Sequence, residues 1–306
     1  MKPPLSILID RFVPPTTAVV ALMAIGMLSL GSGCASRNPS QQSLRSALTF
    51  YASFDHGADA DFARGDSQVY HAKGMNERFA GTRGMPTTPE IHIEAGAGRY
   101  GSGLNFTKAQ APVIFYKAPG NVAIPPQDWS GTVSFWLSTD LVHQLPWGYS
   151  DPIQITSKAW NDAAFYTDFE KRTNGTSFRL GVCADLKVWN PNNRDWDKMV
   201  PPEKPLVLVE NPPFAAGKWT HVAYTFEHFN TGKPDGVAKF YLNGELRGEV
   251  SARTQTFTWE PSKTLIMLGI GYVGRYDDLA IFDRSLSANE IKTLRDLPEG
   301  VSSLLR

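Results

Sequence analysis

The sequence predicts an all-β sandwich of two antiparallel sheets, and three observations predict it. From Leu48 onward, short runs of residues alternate between apolar and polar side chains, which is the pattern of strands buried on one face. Gly, Pro, Asn and Asp separate these runs at the short intervals that turns require. The chain has 306 residues, of which 42% are hydrophobic, and a sandwich of about 200 to 250 residues commonly forms one domain.

The charge balance of the chain excludes two classes of partner. Its 30 basic and 30 acidic residues give a formal net charge of zero. Nucleic acids and anionic membrane surfaces are bound through an excess of positive charge. We therefore expect neither nucleic acid nor direct binding to a membrane surface, and charge by itself names no other partner.

The first 33 residues are expected to form an export signal. Lys2 and Arg11 give a positive start, and residues 16–30 are an apolar run too short to span a membrane comfortably, after which small residues follow. Cys34 comes directly after them, which resembles the bacterial lipobox, where the cysteine is acylated, although Gly31 stands where the lipobox usually has Leu. We expect a lipid anchor at Cys34 and an extracytoplasmic place in the bacterial cell envelope, with ordinary cleavage and secretion or an uncleaved anchor as alternatives.

The segment after the signal is expected to be a flexible tether. Residues 34–47 are small and polar and show no periodicity. The domain itself is expected over residues 48–297, with residues 298–306 as a tail. If Cys34 is lipidated, Cys183 has no partner, and we expect it to be a small buried hydrophobe.

Strands are expected in chain order wherever the alternation is clear. Trp136 and Trp219 lie in such runs and are expected in the core. Asn243-Gly244 predicts a tight hairpin turn, because both residues tolerate positive φ. The predicted strands are Leu48–Phe54, Gly103–Phe106, Thr132–Leu137, Ser177–Val182, His221–Phe226, Ala238–Leu242, Thr264–Leu268 and Asp278–Phe282.

The last strand and one helix are predicted near the end of the chain. Leu279 and Ile281 would share one strand face, while their apolar neighbours occupy the other face, which indicates a central strand buried on both sides. A helix follows, because Ser287 and Glu290 fit a capping box and apolar residues recur at 291, 294 and 297.

The segment Leu141–Pro213 is less regular than its surroundings. It is rich in Pro and Asn and holds four of the eight Trp residues. We expect long loops there, and long loops on a rigid sheet are where binding residues tend to lie.

Several motifs recur in one family and follow one another in its order. The C-terminal motif runs from Gly274 to Ile291 and has a Gly, an Asp pair, an alternating strand, then Asp-Arg, Leu-Ser and Glu-Ile. A second is Trp-x-His-Val-Ala at 219–223, followed by a strand that ends in Leu-Asn-Gly. Gly-x-Gly-Leu at 101–104, the strand 132–137 and the opening Phe54-Asp55 complete the set. Together they span residues 48–295 and resemble the bacterial laminin G-like (LamG-like) domains of the concanavalin A-like lectin/glucanase superfamily, which implies a jelly roll.

The resemblance implies a structural calcium site. Domains of this kind often hold one Ca²⁺ between the exit of the first strand and the last strand, which here would bring Asp55 towards Asp277 or Asp278. Ca²⁺ takes about six to eight oxygens, which carboxylates and loop carbonyls supply. The alternative is that these carboxylates are solvated or bonded to backbone amides.

Aromatic residues of the irregular segment form the candidate ligand-binding surface. Aromatic faces stack on the C–H surfaces of sugars, while Asn and Asp form hydrogen bonds with hydroxyls. The alternative for each aromatic is that it pins a loop to the sandwich. The candidate ligand-binding residues are Trp147, Tyr149, Trp160, Trp189, Trp196 and Asn190.

One segment is similar to a catalytic motif of the superfamily. Glu90-Ile91-His92-Ile93-Glu94 resembles the Glu-Ile-Asp-x-Glu strand of its glycoside hydrolases, in which alternate carboxylates share one face. His92 replaces the central Asp, and the segment lies earlier in the chain than the hydrolase motif. We interpret it as a chance match and assign no catalytic residue, and we expect His221 to be structural.

The sequence therefore predicts an exported, non-catalytic binding module of the bacterial cell envelope. Its expected partner is a glycan or another cell-surface polymer, and its expected contact with the membrane is through the lipid anchor only. A structural or protein-adhesion module is the alternative, and a glycoside hydrolase is the third hypothesis.

Overall fold

The computed structural model describes residues 39–110 and 112–306 of the chain. The predicted export signal over residues 1–33, the predicted lipidation site Cys34 and residues 35–38 of the predicted tether lie outside the described residues. In the part that is described, no helix is both long and apolar enough to cross a membrane.

The described chain is built mainly from strands, as the sequence predicts. The strands of the two sheets pair with their neighbours in the antiparallel sense. The strands are β1 Leu48–Ala52, β2 Phe62–Ala63, β3 Tyr70–Ala72, β4 Thr82–Arg83, β5 Ile91–Glu94, β6 Gly103–Phe106, β7 Val113–Lys117, β8 Trp129–Ser138, β9 Gly148–Thr156, β10 Ala164–Arg172, β11 Gly175–Cys183, β12 Leu206–Glu210, β13 Thr220–Phe229, β14 Gly236–Leu242, β15 Glu245–Arg253, β16 Leu265–Ile270, β17 Gly274–Phe282 and β18 Pro298–Val301.

All of these strands except β18 form two sheets that pack face to face. The first sheet has the order β15-β14-β13-β8-β17-β1-β2, and β6 joins β17 while β5 joins β6. The second sheet has the order β12-β11-β10-β9-β16-β7-β3-β4. The predicted sandwich of two antiparallel sheets is therefore confirmed.

Aromatic side chains fill much of the core between the sheets. Trp129 on β8 is fully buried, and its ring centroid lies 4.7 Å from that of Phe226 and 5.0 Å from that of Trp259. Each such side chain removes a large apolar area from water, which is the main stabilising contribution to a fold of this kind. Cys183 is buried and free, as predicted.

The central position predicted for the last strand is confirmed. β17 lies between β8 and β1. Leu279 and Ile281 belong to the core between the sheets, while Ala280 and Phe282 belong to a second apolar cluster on the outer face of the first sheet. The first sheet is thus covered on both faces in this region.

The helices and the C-terminal segment form that outer cover. Helix α1 (Pro39–Ala47) precedes β1, a single helical turn α2 (Leu186–Trp189) follows β11, and α3 (Ala288–Arg295) follows β17. Short 3₁₀ helices lie at 75–80, 196–198, 201–203, 261–263 and 302–304. The predicted capping box of α3 is confirmed, because the Glu290 amide donates to Ser287 Oγ at 3.3 Å and the Ser287 amide donates to Glu290 Oε2 at 2.9 Å.

The predicted tether is wrong for residues 39–47. Leu44 and Ala47 lie on one face of α1 and are buried in the outer apolar cluster. Arg45 Nη1 also donates to the Leu304 carbonyl at 2.8 Å. The predicted tail, residues 298–306, also packs on the sheet, because Val301 and Leu304 are buried in the same cluster. A few well-spaced apolar residues in each segment are enough to hold it on the sheet.

The prediction of long loops over Leu141–Pro213 is wrong for most of that segment. It contains β9, β10, β11 and β12, which make up half of the second sheet. Phe165 and Phe169 on β10 point into the core, whereas Tyr166 and Asp168 lie on the outer face of the strand. The sequence of the segment is rich in polar residues because its strands expose one face to solvent.

Two smaller predictions concern turn and core residues. The Asn243-Gly244 hairpin is confirmed, since φ is 52° at Asn243 and 76° at Gly244, and the turn joins β14 to β15. Trp136 is buried, but Trp219 is only half-buried. Trp219 stands just before the first residue of β13, where the chain is still entering the sheet.

Candidate ligand-binding cleft

A cleft of about 800 Å³ lies on the outer face of the second sheet. Its floor comes from β9, β10 and β11, and its walls come from the segments around residues 75–80, 158–160 and 196–197. Since this face is turned away from the core, the strand residues that line the cleft are those that alternate with the buried aromatics of β10.

The floor is laid out by the register of β10 with β11. Tyr166 is paired with Gly181, and Asp168 is paired with Arg179. A Cβ atom built on Gly181 would lie 2.0 Å from Tyr166 Cζ, so the Tyr166 ring lies directly over the glycine backbone. Any larger residue at position 181 would displace this ring, which is why the register needs glycine there.

An ion-pair cluster occupies the middle of the floor. Arg179 Nε donates to Asp168 Oδ1 at 2.9 Å, and Arg179 Nη2 contacts Asp168 Oδ2. Arg179 Nη1 donates to Glu170 Oε2 at 2.8 Å. Asp168 and Arg179 are both buried, and a buried carboxylate with a fork-like guanidinium partner is among the stronger polar contacts. The cluster therefore gives the floor a fixed polar centre.

A β-bulge places a further carboxylate beside this cluster. The register between β9 and β10 shifts between Thr167 and Phe169, so that Asp151 lies against Asp168. Bulges turn side chains out of the regular alternation and are common next to functional sites. Burial, together with the Asp168 carboxylate and against the Arg179 guanidinium, raises the pKa of Asp151 well above its usual value.

Aromatic side chains form the sides of the cleft. The Trp160 ring centroid lies 5.2 Å from that of Trp196 and 6.0 Å from that of Tyr166, both in edge-to-face geometry. Tyr149 stands at the other end of the floor, where its hydroxyl accepts from Arg172 Nη2 at 2.7 Å. Trp160 is 43% exposed and Tyr149 is 46% exposed, so aromatic surface faces the solvent on both sides of the polar floor.

The structure brings together three of the six predicted ligand-binding residues. Tyr149, Trp160 and Trp196 line the cleft. Trp147 is 67% exposed and lies outside the cleft lining, with the Lys171 ammonium 5.6 Å from its ring centroid.

The other two predicted residues, Trp189 and Asn190, bond to the loops that flank the cleft. Trp189 is half-buried, and its Nε1 donates to the Asn161 carbonyl at 2.8 Å. Asn190 is buried, its Nδ2 donates to the Arg194 carbonyl, and its Oδ1 accepts from the Arg194 amide. Both side chains have their polar groups taken up by the protein, and neither lines the cleft.

Sequence reasoning missed the residues of the floor. Tyr166, Asp168 and Glu170 alternate along β10 with residues that are buried towards the core, among them the apolar Phe165 and Phe169. This alternation is the signal that could have found them. The high Pro and Asn content of the surrounding segment masks this alternation.

The predicted calcium ligands are close to one another but are bonded to the protein. Both oxygens of Asp277 accept backbone amides, from Tyr100 at 2.9 Å and from Asp278 at 2.9 Å. Asp278 accepts from the Tyr51 hydroxyl at 2.7 Å, and Asp55 accepts from the Ser102 amide at 2.6 Å. Burial raises the pKa of Asp277 to about 8 and that of Asp278 to about 7.

This donor set does not fit a calcium ion as it is placed. Among residues 39–110 and 112–306, no group of three or more His, Cys, Asp or Glu side chains could hold a metal. Calcium needs several oxygens converging on one point, whereas these carboxylates turn to different amides. The calcium site stays a prediction.

The segment that resembles a hydrolase motif lies far from the cleft in the fold. Glu94 on β5 pairs with Arg275 at 3.1 Å, and the His92 ring bonds to the Pro89 carbonyl at 3.0 Å. His221 is buried, and its Nε2 shares a hydrogen bond with Ser134 Oγ at 2.9 Å. These contacts are structural.

Comparisons with known proteins agree on the fold. Residues 116–292 match the family described as the concanavalin A-like lectin/glucanases superfamily. No curated protein matches the chain by sequence. Domain 4 of an extracellular arabinanase from Geobacillus stearothermophilus, solved in complex with arabinotriose, is 14% identical, with a TM-score of 0.50 over 82% of this chain and 98% of that one. The receptor-binding domain of botulinum neurotoxin C/D mosaic serotype is 13% identical, with a TM-score of 0.51 over 82% of this chain, which spans about half of that domain (51%).

Proposed function

Because the chain belongs to the concanavalin A-like lectin/glucanases superfamily, we propose that it is a non-catalytic binding module that holds a carbohydrate in the cleft on the second sheet. The observation that carries the proposal is the pairing of exposed aromatic walls, Trp160 and Tyr149, with a polar floor. Sugars present both C–H faces and hydroxyls, and this combination matches both. The arabinanase domain of similar fold was solved in complex with arabinotriose, which supports a sugar as the class of ligand.

The floor favours binding over hydrolysis. A glycoside hydrolase needs one carboxylate free to attack or to activate water and a second to donate a proton. Both oxygens of Asp168 are engaged by Arg179, and Glu170 is held by Arg179 and Arg172. Carboxylates that are held in this way are poorly placed for chemistry, so of the three carboxylates that the described residues place on the floor Asp151 alone is free, one fewer than hydrolysis needs.

A protein-adhesion role is the second candidate, and one observation favours it. Val142 is 69% exposed and Trp147 is 67% exposed on the same loop, and exposed apolar side chains often mark protein contacts. We place this second because the two residues lie outside the cleft and provide a small apolar area.

We further propose that the module is exported and held at the bacterial envelope by a lipid on Cys34. The support is the charged start, the apolar run and the small residues before that cysteine. Labelled palmitate should be incorporated by the wild-type protein in bacterial cells and not by a Cys34→Ala variant. Equal labelling of both proteins would contradict the anchor.

The binding proposal is tested by titrating the protein with neutral oligosaccharides while its stability is monitored. Trp160→Ala and Trp196→Ala should each weaken binding by about tenfold, because each removes a stacking face. Trp147→Ala is the matched control, since it removes an exposed Trp outside the cleft and should leave affinity unchanged. Binding that is lost in the control and kept in the cleft variants would favour the loop of Val142 and Trp147 instead.

A further inference from the structure

One carboxylate on the cleft floor, that of Asp151, has no charged partner within the described part of the protein. Three carboxylates, Asp151, Asp168 and Glu170, face two guanidiniums, Arg172 and Arg179. Asp168 and Glu170 share Arg179, and Arg172 Nη2 lies 2.8 Å from Glu170 Oε1. The two arginines are therefore matched by these two acids, and Asp151 is left over.

Asp151 has no donor of its own. Among the described residues, none donates a hydrogen bond to its carboxylate and no cation lies within 4.0 Å of it; the Arg179 guanidinium acts on it only from a distance. The side chain is half-buried, lines the cleft, and is directed there by the bulge opposite Asp168. A partly buried carboxyl without a partner is costly when ionised, so it favours either a proton or a cation from outside.

The other cations of the cleft are committed elsewhere. Lys158 Nζ lies 2.8 Å from Asp185 Oδ1 and also contacts Asp162. Arg78 donates from its two Nη atoms to the carbonyls of Met75 and Lys158. Arg78 contacts no carboxylate, but neither Arg78 nor Lys158 lies within 4.0 Å of the Asp151 carboxylate, so among the described residues Asp151 has no ion pair.

The surroundings of Asp151 suit an organic ammonium better than a bare metal ion. The Tyr166 hydroxyl is buried, lines the same floor and has no hydrogen-bond partner in the described part of the chain. Trp160 stands beside it in edge-to-face contact. Aromatic faces next to a carboxylate attract ammonium groups through the ring quadrupole. Asp151 has only the Asp168 carboxylate beside it, and in the described part of the chain no group of three or more His, Cys, Asp or Glu side chains could hold a metal.

We infer that the cleft selects, among carbohydrates, those that carry a free amine, with the ligand ammonium paired to Asp151 and the sugar ring set between the aromatic walls. This inference rests on the proposed function, because it names the ligand class of the same cleft. An N-acetylated sugar of the same skeleton lacks the positive charge and leaves Asp151 without a partner. A charge-assisted hydrogen bond of this kind corresponds to a preference of about tenfold or more.

The experiment titrates the full chain with matched pairs of oligosaccharides of glucosamine, galactosamine and mannosamine, each with a free or an acetylated amine, and with the neutral parent sugars. The expected result is that one free-amine ligand binds at least about tenfold more tightly than its acetylated partner. Asp151→Asn should remove this preference without lowering the melting temperature, and Asp151→Glu should restore part of it. Asp235→Asn, which removes an exposed carboxylate from a distant loop, is the matched control and should keep the preference.

The outcomes separate the two proposals. If neutral or acetylated sugars bind as tightly as free-amine sugars, the inference about the amine is overturned and the proposed function stands. If no sugar of the panel binds, both are overturned. If the preference survives in Asp151→Asn, or is lost equally in Asp235→Asn, the amine is not held by Asp151 and the assignment of the site is wrong.

Discussion

Replacing the buried His221 should change how the stability of the protein depends on pH. Burial, with the nearby Arg295 guanidinium and against Asp296, lowers the pKa of His221 from its ordinary 6.5 to about 3. In the folded protein the ring therefore stays neutral where the unfolded chain already binds a proton. The free energy of unfolding then falls as pH drops below about 6.5, and it keeps falling until about pH 3.

The size of this effect follows from the pKa difference. Each pH unit between the two pKa values contributes at most about 1.4 kcal/mol, so that the ceiling over roughly 3.5 units is about 5 kcal/mol. Two features of the site disfavour the charged form of the ring. The ring is buried with its centroid 5.0 Å from that of Trp136, and Nδ1 has no hydrogen-bond partner among the described residues.

Urea unfolding at several pH values between about 4 and 8 measures this dependence. His221→Gln keeps a polar group near Ser134 and cannot titrate, so its free energy of unfolding should fall less steeply than that of wild type below about pH 6.5. The difference between the two curves isolates His221 from the buried Asp277 and Asp278, whose raised pKa values give a slope of opposite sign. Parallel curves for the two proteins would refute the reasoning.

Three further predictions follow from packing and from the acidic cluster. Gly181→Ala should lower the free energy of unfolding by about 1–3 kcal/mol and weaken sugar binding, because the new Cβ displaces Tyr166; urea unfolding and titration measure both, and a Tyr166→Ala background should abolish the loss. Leu44→Ala should cost about 2–5 kcal/mol, since the side chain is fully buried, and an unchanged melting temperature would restore the tether interpretation. If calcium binds, EDTA should lower the melting temperature of wild type and leave that of Asp277→Asn unmoved; no effect of EDTA on wild type would contradict the site.

The sequence was most informative where strands are buried on both faces. The faces of Leu279 and Ile281, the hairpin at Asn243-Gly244 and the capping box at Ser287 were all predicted correctly. Each depends on a local rule: apolar residues on both faces of a strand, positive φ in a tight turn, or a side chain that caps a helix. Such rules act over a few residues and can be read without knowing what lies across the core.

The cleft could be predicted only in part, because its floor depends on register. The cross-strand pairing of Asp168 with Arg179, and the bulge that brings Asp151 beside them, arise from how β9, β10 and β11 align. The sequence of one strand does not specify which residues of the neighbouring strands will pair with its own. The exposed aromatics Tyr149 and Trp160 were found because an aromatic residue in a polar segment stands out by composition.

The position of the cleft follows from the unequal cover of the two sheets. Helix α1, helix α3 and the C-terminal segment bury the outer face of the first sheet, where Tyr51 and Tyr241 lie in an apolar cluster. The second sheet has a smaller outer cluster near Phe115 and Met267, and beyond it the outer face of β9, β10 and β11 is open. A strand face that is open to solvent carries polar side chains, and these interrupt the apolar pattern in the sequence of this half of the domain. The same openness leaves room for a ligand, so the part of the fold that was hardest to predict is the part that can bind.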